Sequence, residues 1–151
     1  MVKVEVETVI AAPIEKCFDL ARSLSAHVAT TSHTRERAVS DHDRDLLELG
    51  DVVTFEATHL GVRQKLSSRI VAVDRPNHFA DEMTQGAFHH LRHTHHFESL
   101  PDGRTGMTDV LEFESPFGPI GGLVDRLFLR AYMKKFVTRK GLALKELAES
   151  S

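Results

Sequence analysis

The sequence lacks the features that define several large classes of protein. Cys17 is the only cysteine, so no disulfide can form within the chain, and a reducing cytoplasm is the expected compartment. No run of about 18 apolar residues is present, so we expect no membrane span. The net charge is −3 with histidine neutral, and Lys and Arg are scattered until the C-terminal segment. This distribution argues against a nucleic-acid partner, because such proteins present a basic face.

Short motifs for metal, phosphate and nucleophile chemistry are missing as well. The sequence has no HExxH or CxxC spacing. The segment GPIGG lacks the lysine and the Ser/Thr of a phosphate-binding loop, and Ser67 and Ser68 have no nucleophile-elbow context. The sequence therefore predicts neither a bound metal nor a cofactor, and no residue pattern assigns an oligomeric state.

The pattern that is present predicts a domain of mixed α and β structure spanning residues 1–151. The 151 residues are 41 % hydrophobic and 27 % charged, ordinary values for one globular domain. A strictly alternating first strand, Val2 to Ile10, precedes two short helices that begin near Pro13 and Ser23. Further strands are predicted in RERAVS, VVTFEATHL, VRQKLSSRIVAVD, HFADEMTQ, the histidine-rich segment and RTGMTDVLEFES. A long helix, about Ile120 to Ala148, ends the chain.

Short links between the strands favour antiparallel neighbours. The predicted fold class is therefore α+β: a strongly curved antiparallel sheet of about seven strands that grips the C-terminal helix. A long helix across the concave side of such a sheet need not fill the space beneath it. We expect the remaining cavity to be the binding site.

The element order and three segments resemble the START-like helix-grip superfamily (SRPBCC). The segments are ELGDVVTFEATHLGVRQKL, HFADEM followed by a glycine, and RHTHHFESLPDGRTGMTDVLEFESPFGPIGGLVDRLF. The superfamily includes polyketide cyclase/dehydrase-like and pollen-allergen-like ligand-binding domains. Within it the sequence is similar to a bacterial stand-alone branch whose members are sometimes labelled cell-division inhibitors. The resemblance implies a deep pocket for lipids, polyketides or other mostly apolar small molecules.

The segment FHHLRHTHHFESL, residues 88–100, holds five of the ten histidines. Side chains alternate between the two faces of a strand, and the even positions include Arg92 and Glu98, so we assign them to solvent. The even positions are Phe88, His90, Arg92, Thr94, His96 and Glu98. The odd positions, assigned to the inner face, are His89, Leu91, His93, His95 and Phe97.

A tight hairpin centred on Asp102 would place His95 opposite Asp109, and Phe97 opposite Met107. Directly opposed side chains have Cβ atoms about 4.5–5.5 Å apart. An aspartate is costly to bury alone, and a hydrogen-bonded imidazole is a natural partner. We therefore predict a buried or half-buried pair of His95 and Asp109.

Four interpretations of this pair stay open at the level of sequence. The pair fixes the strand register, or it joins other inward polar residues in contacting a mainly apolar ligand. It is a catalytic acid–base pair, as cyclisation and dehydration of a polyketide require. Alternatively, His93 and His95 bind a metal with a third ligand such as Asp81 or His59, although no motif supports this. The residues expected to line the ligand cavity are Phe55, His59, Gln64, Leu66, Ser68, Asp81, Met83, Leu91, His93, His95, Leu111 and Leu127.

Three functions follow from these observations. The first is a cytoplasmic carrier or sensor of a small hydrophobic molecule. The second is a polyketide cyclase/dehydratase-like enzyme that uses His95 and Asp109. The third is an interaction protein, for which the basic stretch from Arg130 to Lys140 is the expected contact surface.

Overall fold

A computed structural model of the chain describes residues 1–31, 34–40, 42–115 and 125–150. The elements follow the predicted order. The strands are β1 (Val2–Ile10), β2 (Arg37–Ser40), β3 (Val52–His59), β4 (Val62–Asp74), β5 (His78–Gln85), β6 (His90–Ser99) and β7 (Thr105–Glu114). The α-helices are α1 (Ile14–Ala21), α2 (Leu24–Thr30) and α3 (Arg130–Ser150), and a π-helical turn, Asp125–Leu129, precedes α3.

The seven strands form one antiparallel sheet in the order β1-β7-β6-β5-β4-β3-β2. Strands β2 to β7 pair with their neighbours in sequence, whereas β1 pairs with β7. The sheet is curved and does not close, and α3 crosses its concave face. The predicted α+β helix-grip fold is confirmed.

The first strand shows how the sequence sets the inner face of the sheet. Its residues alternate strictly between buried and exposed along all nine positions of β1. The buried residues are the predicted ones: Val2, Val4, Val6, Thr8 and Ile10. Their side chains face α3, so hydrophobic burial holds the helix over the sheet.

Two apolar clusters hold α1 and α3 on the sheet. In the first cluster, Phe18 of α1 meets the rings of Phe79 and Phe97 edge-on, each at 5.4 Å between centroids. The second cluster joins Val137 of α3 to Phe113 and the start of β1. The unfilled space lies further along the sheet, toward β3 and β4.

Gly141 lets α3 approach β1 closely. A Cβ atom at this position would lie 2.8 Å from Thr8 Oγ1 and 3.7 Å from Met107 Cε. The first distance is shorter than van der Waals contact, so any side chain here would force the helix or Thr8 to move. Gly141 therefore sets the distance between α3 and β1.

Three predicted boundaries differ from the observed ones. The strand predicted in RERAVS begins only at Arg37, because Arg35 has a left-handed φ of 51° that extended structure does not allow. The C-terminal α-helix begins at Arg130 and runs to Ser150, with the π-helical turn before it. The first residues of the predicted helix, 120–124, lie outside the described part of the chain.

Candidate functional site

The hairpin of β6 and β7 has the predicted register. His95 pairs with Asp109, and Phe97 pairs with Met107. Both members of the first pair are buried, at 5 % exposure each. The predicted pair therefore exists, on the inner face of the sheet beneath α3.

The alternation of faces holds only within β6 itself. Phe88 was assigned to solvent, but it packs on Phe113 with 5.5 Å between ring centroids and lines the cavity. His89 was assigned inward and is exposed. Both residues precede the start of β6 at His90, and the period of two applies only to extended backbone. These two assignments were wrong for that reason.

The carboxylate of Asp109 contacts two imidazoles. Asp109 Oδ1 lies 2.9 Å from His93 Nε2 and 3.1 Å from His95 Nδ1. The two rings stack with 3.8 Å between their centroids. The second nitrogen of His95, Nε2, lies 3.7 Å from Asp81 Oδ1 on β5. Sequence reasoning predicted the contact of Asp109 with His95 but missed the contact with His93.

The pKa values of these groups diverge because the groups are buried together. Burial, followed by the charge of His95, lowers the pKa of His93 to about 4. Burial also lowers the pKa of His95, but hydrogen bonds to Asp109 and Asp81 outweigh it, so the net pKa is raised. For Asp109, burial opposes ionisation, yet the two imidazoles hold its pKa far below the ordinary range. In the absence of other ligands, a proton in this cluster is carried by His95.

Helix α3 adds a second polar group that the sequence analysis did not single out. Lys140 Nζ lies 2.7 Å from Nδ1 of His27 on α2. The other nitrogen of His27 contacts the carboxylate of Glu36. Burial lowers the pKa of Lys140, although Glu36 and the two nearby aspartates oppose this shift. Lys140, the last residue of the basic stretch Arg130 to Lys140, is therefore half-buried and contacts α2, and a partner contact through this stretch stays a prediction.

The spacing along α3 contains the signal that could have identified Lys140. Val137, Gly141 and Leu144 are buried, and Lys140 falls between them on the same helix face. A lysine in an apolar stripe at positions i, i+3, i+4 and i+7 is unusual and points to a polar partner inside.

A cavity of about 200 Å³ lies between α3 and the sheet. Its wall is mostly apolar, and the polar groups described above form one end. Ten of the twelve residues expected to line it do so: Phe55, His59, Gln64, Leu66, Ser68, Asp81, Leu91, His93, His95 and Leu111. Their contact with a ligand stays a prediction.

The other two expected lining residues lie elsewhere. Leu127 is in the π-helical turn and is 73 % exposed. Met83 is not part of the cavity wall, and its Sδ atom lies over Gly86, 2.8 Å from where a Cβ would stand. The periodicity of a regular α-helix placed Leu127 inward, and the π-helical turn changes that periodicity.

Two further polar contacts belong to the cavity wall. His59, at the end of β3, lies with its Nδ1 2.7 Å from the Tyr132 hydroxyl of α3, so this contact joins the β3–β4 hairpin to the helix. Ser68 is 3 % exposed, and its hydroxyl has no hydrogen-bond partner among the described residues. An unsatisfied buried hydroxyl on a cavity wall is a natural contact for a polar atom of a ligand.

One group of side chains also has the composition of a metal site. Asp81, His93 and His95 offer ligand atoms that all lie within 4.8 Å of one another. The three residues line the cavity, so an ion could reach them from solvent.

Comparisons with solved structures show the same fold at low sequence identity. Protein TTHA0849 from Thermus thermophilus is 23 % identical, with a TM-score of 0.81 over 99 % of this chain and 100 % of that one. The ZhuI aromatase/cyclase from Streptomyces sp. R1128 is 17 % identical, with a TM-score of 0.80 over 98 % and 93 %. Ara h 8.0201 is 14 % identical, with a TM-score of 0.73 over 99 % of this chain and 99 % of that one.

Two further comparisons concern the sequence, and one observation concerns its helices. A search of curated proteins found no match. None of the described helices combines the length and the apolar run needed to cross a bilayer. The family model described as polyketide cyclase / dehydrase and lipid transport matches residues 1–149. This match covers almost the whole chain and agrees with the helix-grip fold, so the protein belongs to the polyketide cyclase/dehydrase and lipid transport family.

Proposed function

We propose that the protein binds one mostly apolar small molecule in the cavity beneath α3, as a carrier or sensor. The observation that carries this proposal is the cavity itself, about 200 Å³ of space with a mainly apolar wall. An apolar cavity of about 150 Å³ is enough to bind benzene. The space therefore suits a molecule of one or two rings or a short acyl chain.

The ligand has a polar end as well as an apolar body. Phe55, Leu66 and Leu111 supply part of the apolar wall, whereas Ser68 and the histidine cluster supply polar atoms. A polar atom of the ligand within reach of the Ser68 hydroxyl would satisfy that group, which otherwise costs about 1–3 kcal/mol to leave buried and unpaired. Recognition in such a site comes from a few placed polar groups, and affinity comes from the apolar wall.

The family and its members support this class of ligand. The family description includes lipid transport and polyketide cyclisation, both of which involve mainly apolar molecules. Catalysis by His95 and Asp109 is not favoured, because Asp109 is shared between two imidazoles and is not among the described residues that line the main cavity. The cytoplasm stays the proposed compartment, since Cys17 is buried and free; fractionation of the source cells would test it.

A cavity-filling variant tests the proposal. Ala57 is buried on β3 and lines the cavity, so Ala57→Phe should fill much of the space. Val39 is 62 % exposed on β2, so Val39→Phe adds the same ring outside the cavity. We expect an apolar fluorescent probe, or a molecule co-purifying in native mass spectrometry, to bind the wild type and the Val39 variant but not the Ala57 variant.

Overpacking can also destabilise a fold by about 1–3 kcal/mol, so far-UV circular dichroism must show that the Ala57 variant is folded. Leu66→Phe is a second filling variant on the neighbouring strand. Equal probe binding by folded Ala57→Phe, or no binding by the wild type across a panel of lipids and aromatic compounds, would contradict the proposal.

A further inference from the structure

The polar end of the cavity combines two histidines and a carboxylate on neighbouring strands. Asp81 of β5 pairs directly with His93 of β6, and His95 follows two residues later on the same face. The ligand atoms of the three side chains all lie within 4.8 Å of one another. Strand pairing fixes all three backbone positions, so their proximity does not depend on a loop.

We propose that Asp81, His93 and His95 form a binding site for a divalent transition-metal ion such as Zn²⁺. Bonds of about 2.0–2.2 Å to a tetrahedral ion place its ligands about 3.4 Å apart. His95 Nε2 and Asp81 Oδ1 are already 3.7 Å apart, so small side-chain rotations complete the triangle. Two imidazoles and one carboxylate are a known ligand set for zinc with a fourth position open, and here that position faces the cavity.

Asp109 gives both histidines the orientation that metal binding requires. Its Oδ1 accepts a hydrogen bond from His93 Nε2, and its contact with His95 Nδ1 is 3.1 Å. A carboxylate that accepts a hydrogen bond from one ring nitrogen fixes the tautomer of a neutral imidazole, whose other nitrogen is then available to a metal. For His95 that second nitrogen is the one that faces Asp81.

The balance of charge favours a divalent cation. Three carboxylates, those of Glu36, Asp81 and Asp109, act on one ammonium group, that of Lys140. In the metal-free protein a proton on His95 offsets one of these charges. When an ion displaces that proton, both histidines are neutral and the group has two negative charges in excess, and buried charge without compensation is costly. One divalent ion supplies both missing positive charges. Lys140 itself contacts His27 rather than the proposed ligands.

Metal titration of the full chain tests the site. The protein is treated with a chelator, dialysed, and titrated with Zn²⁺ alone by calorimetry and with Co²⁺ by visible absorption. We expect saturable one-to-one binding. Asp109→Asn should weaken the affinity by about 10–100-fold, and Asp81→Asn and His93→Gln should weaken it more, because they remove ligands.

His96→Gln is the matched control, because His96 lies on the same strand and faces solvent. It should bind Zn²⁺ like the wild type. No one-to-one binding by the wild type, or a loss of binding in the His96 variant with none in the Asp81 variant, would overturn the proposal. The titration is made without an apolar ligand, so failure of this site and failure of the proposed function are separate results.

A measurement on the wild-type chain covers the case in which ligand variants do not fold. Co²⁺ is paramagnetic, so it should shift and broaden the imidazole resonances of His93 and His95 at one equivalent. His96 lies next to His95 and is exposed, so its resonances should shift and broaden less than those of the two ligands at one equivalent. Stronger broadening of His96 than of His93 and His95 would show that the ion binds at the surface, and it would also overturn the proposal.

Discussion

Replacing Asp109 by asparagine tests the role of the central carboxylate in stability. The substitution keeps the size of the side chain and removes its charge. In the native protein one oxygen of Asp109 lies 2.9 Å and 3.1 Å from nitrogens of His93 and His95. His95 is buried and His93 is half-buried, with side-chain exposures of 6 % and 13 %. Solvent therefore does little to screen these contacts.

The expected loss follows from the two contacts. A hydrogen bond to a charged group contributes about 1.5–3 kcal/mol and a neutral one about 0.5–1.5 kcal/mol. The amide oxygen of asparagine keeps two neutral bonds, so the difference over both is about 2–3 kcal/mol. For a chain of this size that loss lowers Tm by about 5–10 °C.

Urea unfolding followed by far-UV circular dichroism measures the loss in metal-free protein. Fluorescence is a poor probe, since the chain has no tryptophan and one tyrosine. Asp102→Asn in the β6–β7 turn is the control, because Asp102 is exposed and contacts only its neighbour Arg104 among the described residues. If Asp109→Asn unfolds at the same urea concentration as Asp102→Asn, the carboxylate does not hold the two imidazoles and this reasoning is refuted.

Two further predictions concern the helix contact and the histidine pair. Gly141→Ala should destabilise the fold by about 1–3 kcal/mol in urea unfolding, although alanine favours a helix by about 1 kcal/mol. In a Thr8→Ala background, which removes the atom 2.8 Å from the new Cβ, the same change should be neutral or stabilising; an equal cost in both backgrounds would contradict the contact. In metal-free protein, nuclear magnetic resonance should show His95 titrating above its ordinary pKa of 6.5 and His93 staying neutral until about pH 4. Two rings that titrate together near pH 6.5 would contradict the shared carboxylate.

Patterns of residues close in sequence were enough to predict the antiparallel sheet and the His95–Asp109 pair within it. The alternation in β1 and the PDG turn after β6 depend on residues close in sequence, and a hairpin of known turn position has a fixed register. The His95–Asp109 pair follows from that register alone. The same argument failed at Phe88 and His89 because it assumed that the strand began before His90.

The remaining parts of the site depend on contacts between distant elements. Lys140 meets His27 across 113 positions of sequence, and no periodicity predicts which side chain of one helix reaches another. His93 reaches Asp109 because its side chain leans along the strand, a choice of rotamer that sequence does not specify. The contact of Asp109 with both His93 and His95 could therefore be found only in the structure.

The contacts of α3 limit the length of what the cavity can hold. The helix contacts the β3–β4 hairpin through Tyr132 and His59, and it packs closely on β1 at Gly141. These two residues are nine positions apart, or about 13 Å along a helix axis. The helix segment between them is the roof of the cavity. A ligand that lies along the helix and is longer than this span would extend beyond the contact between Tyr132 and His59.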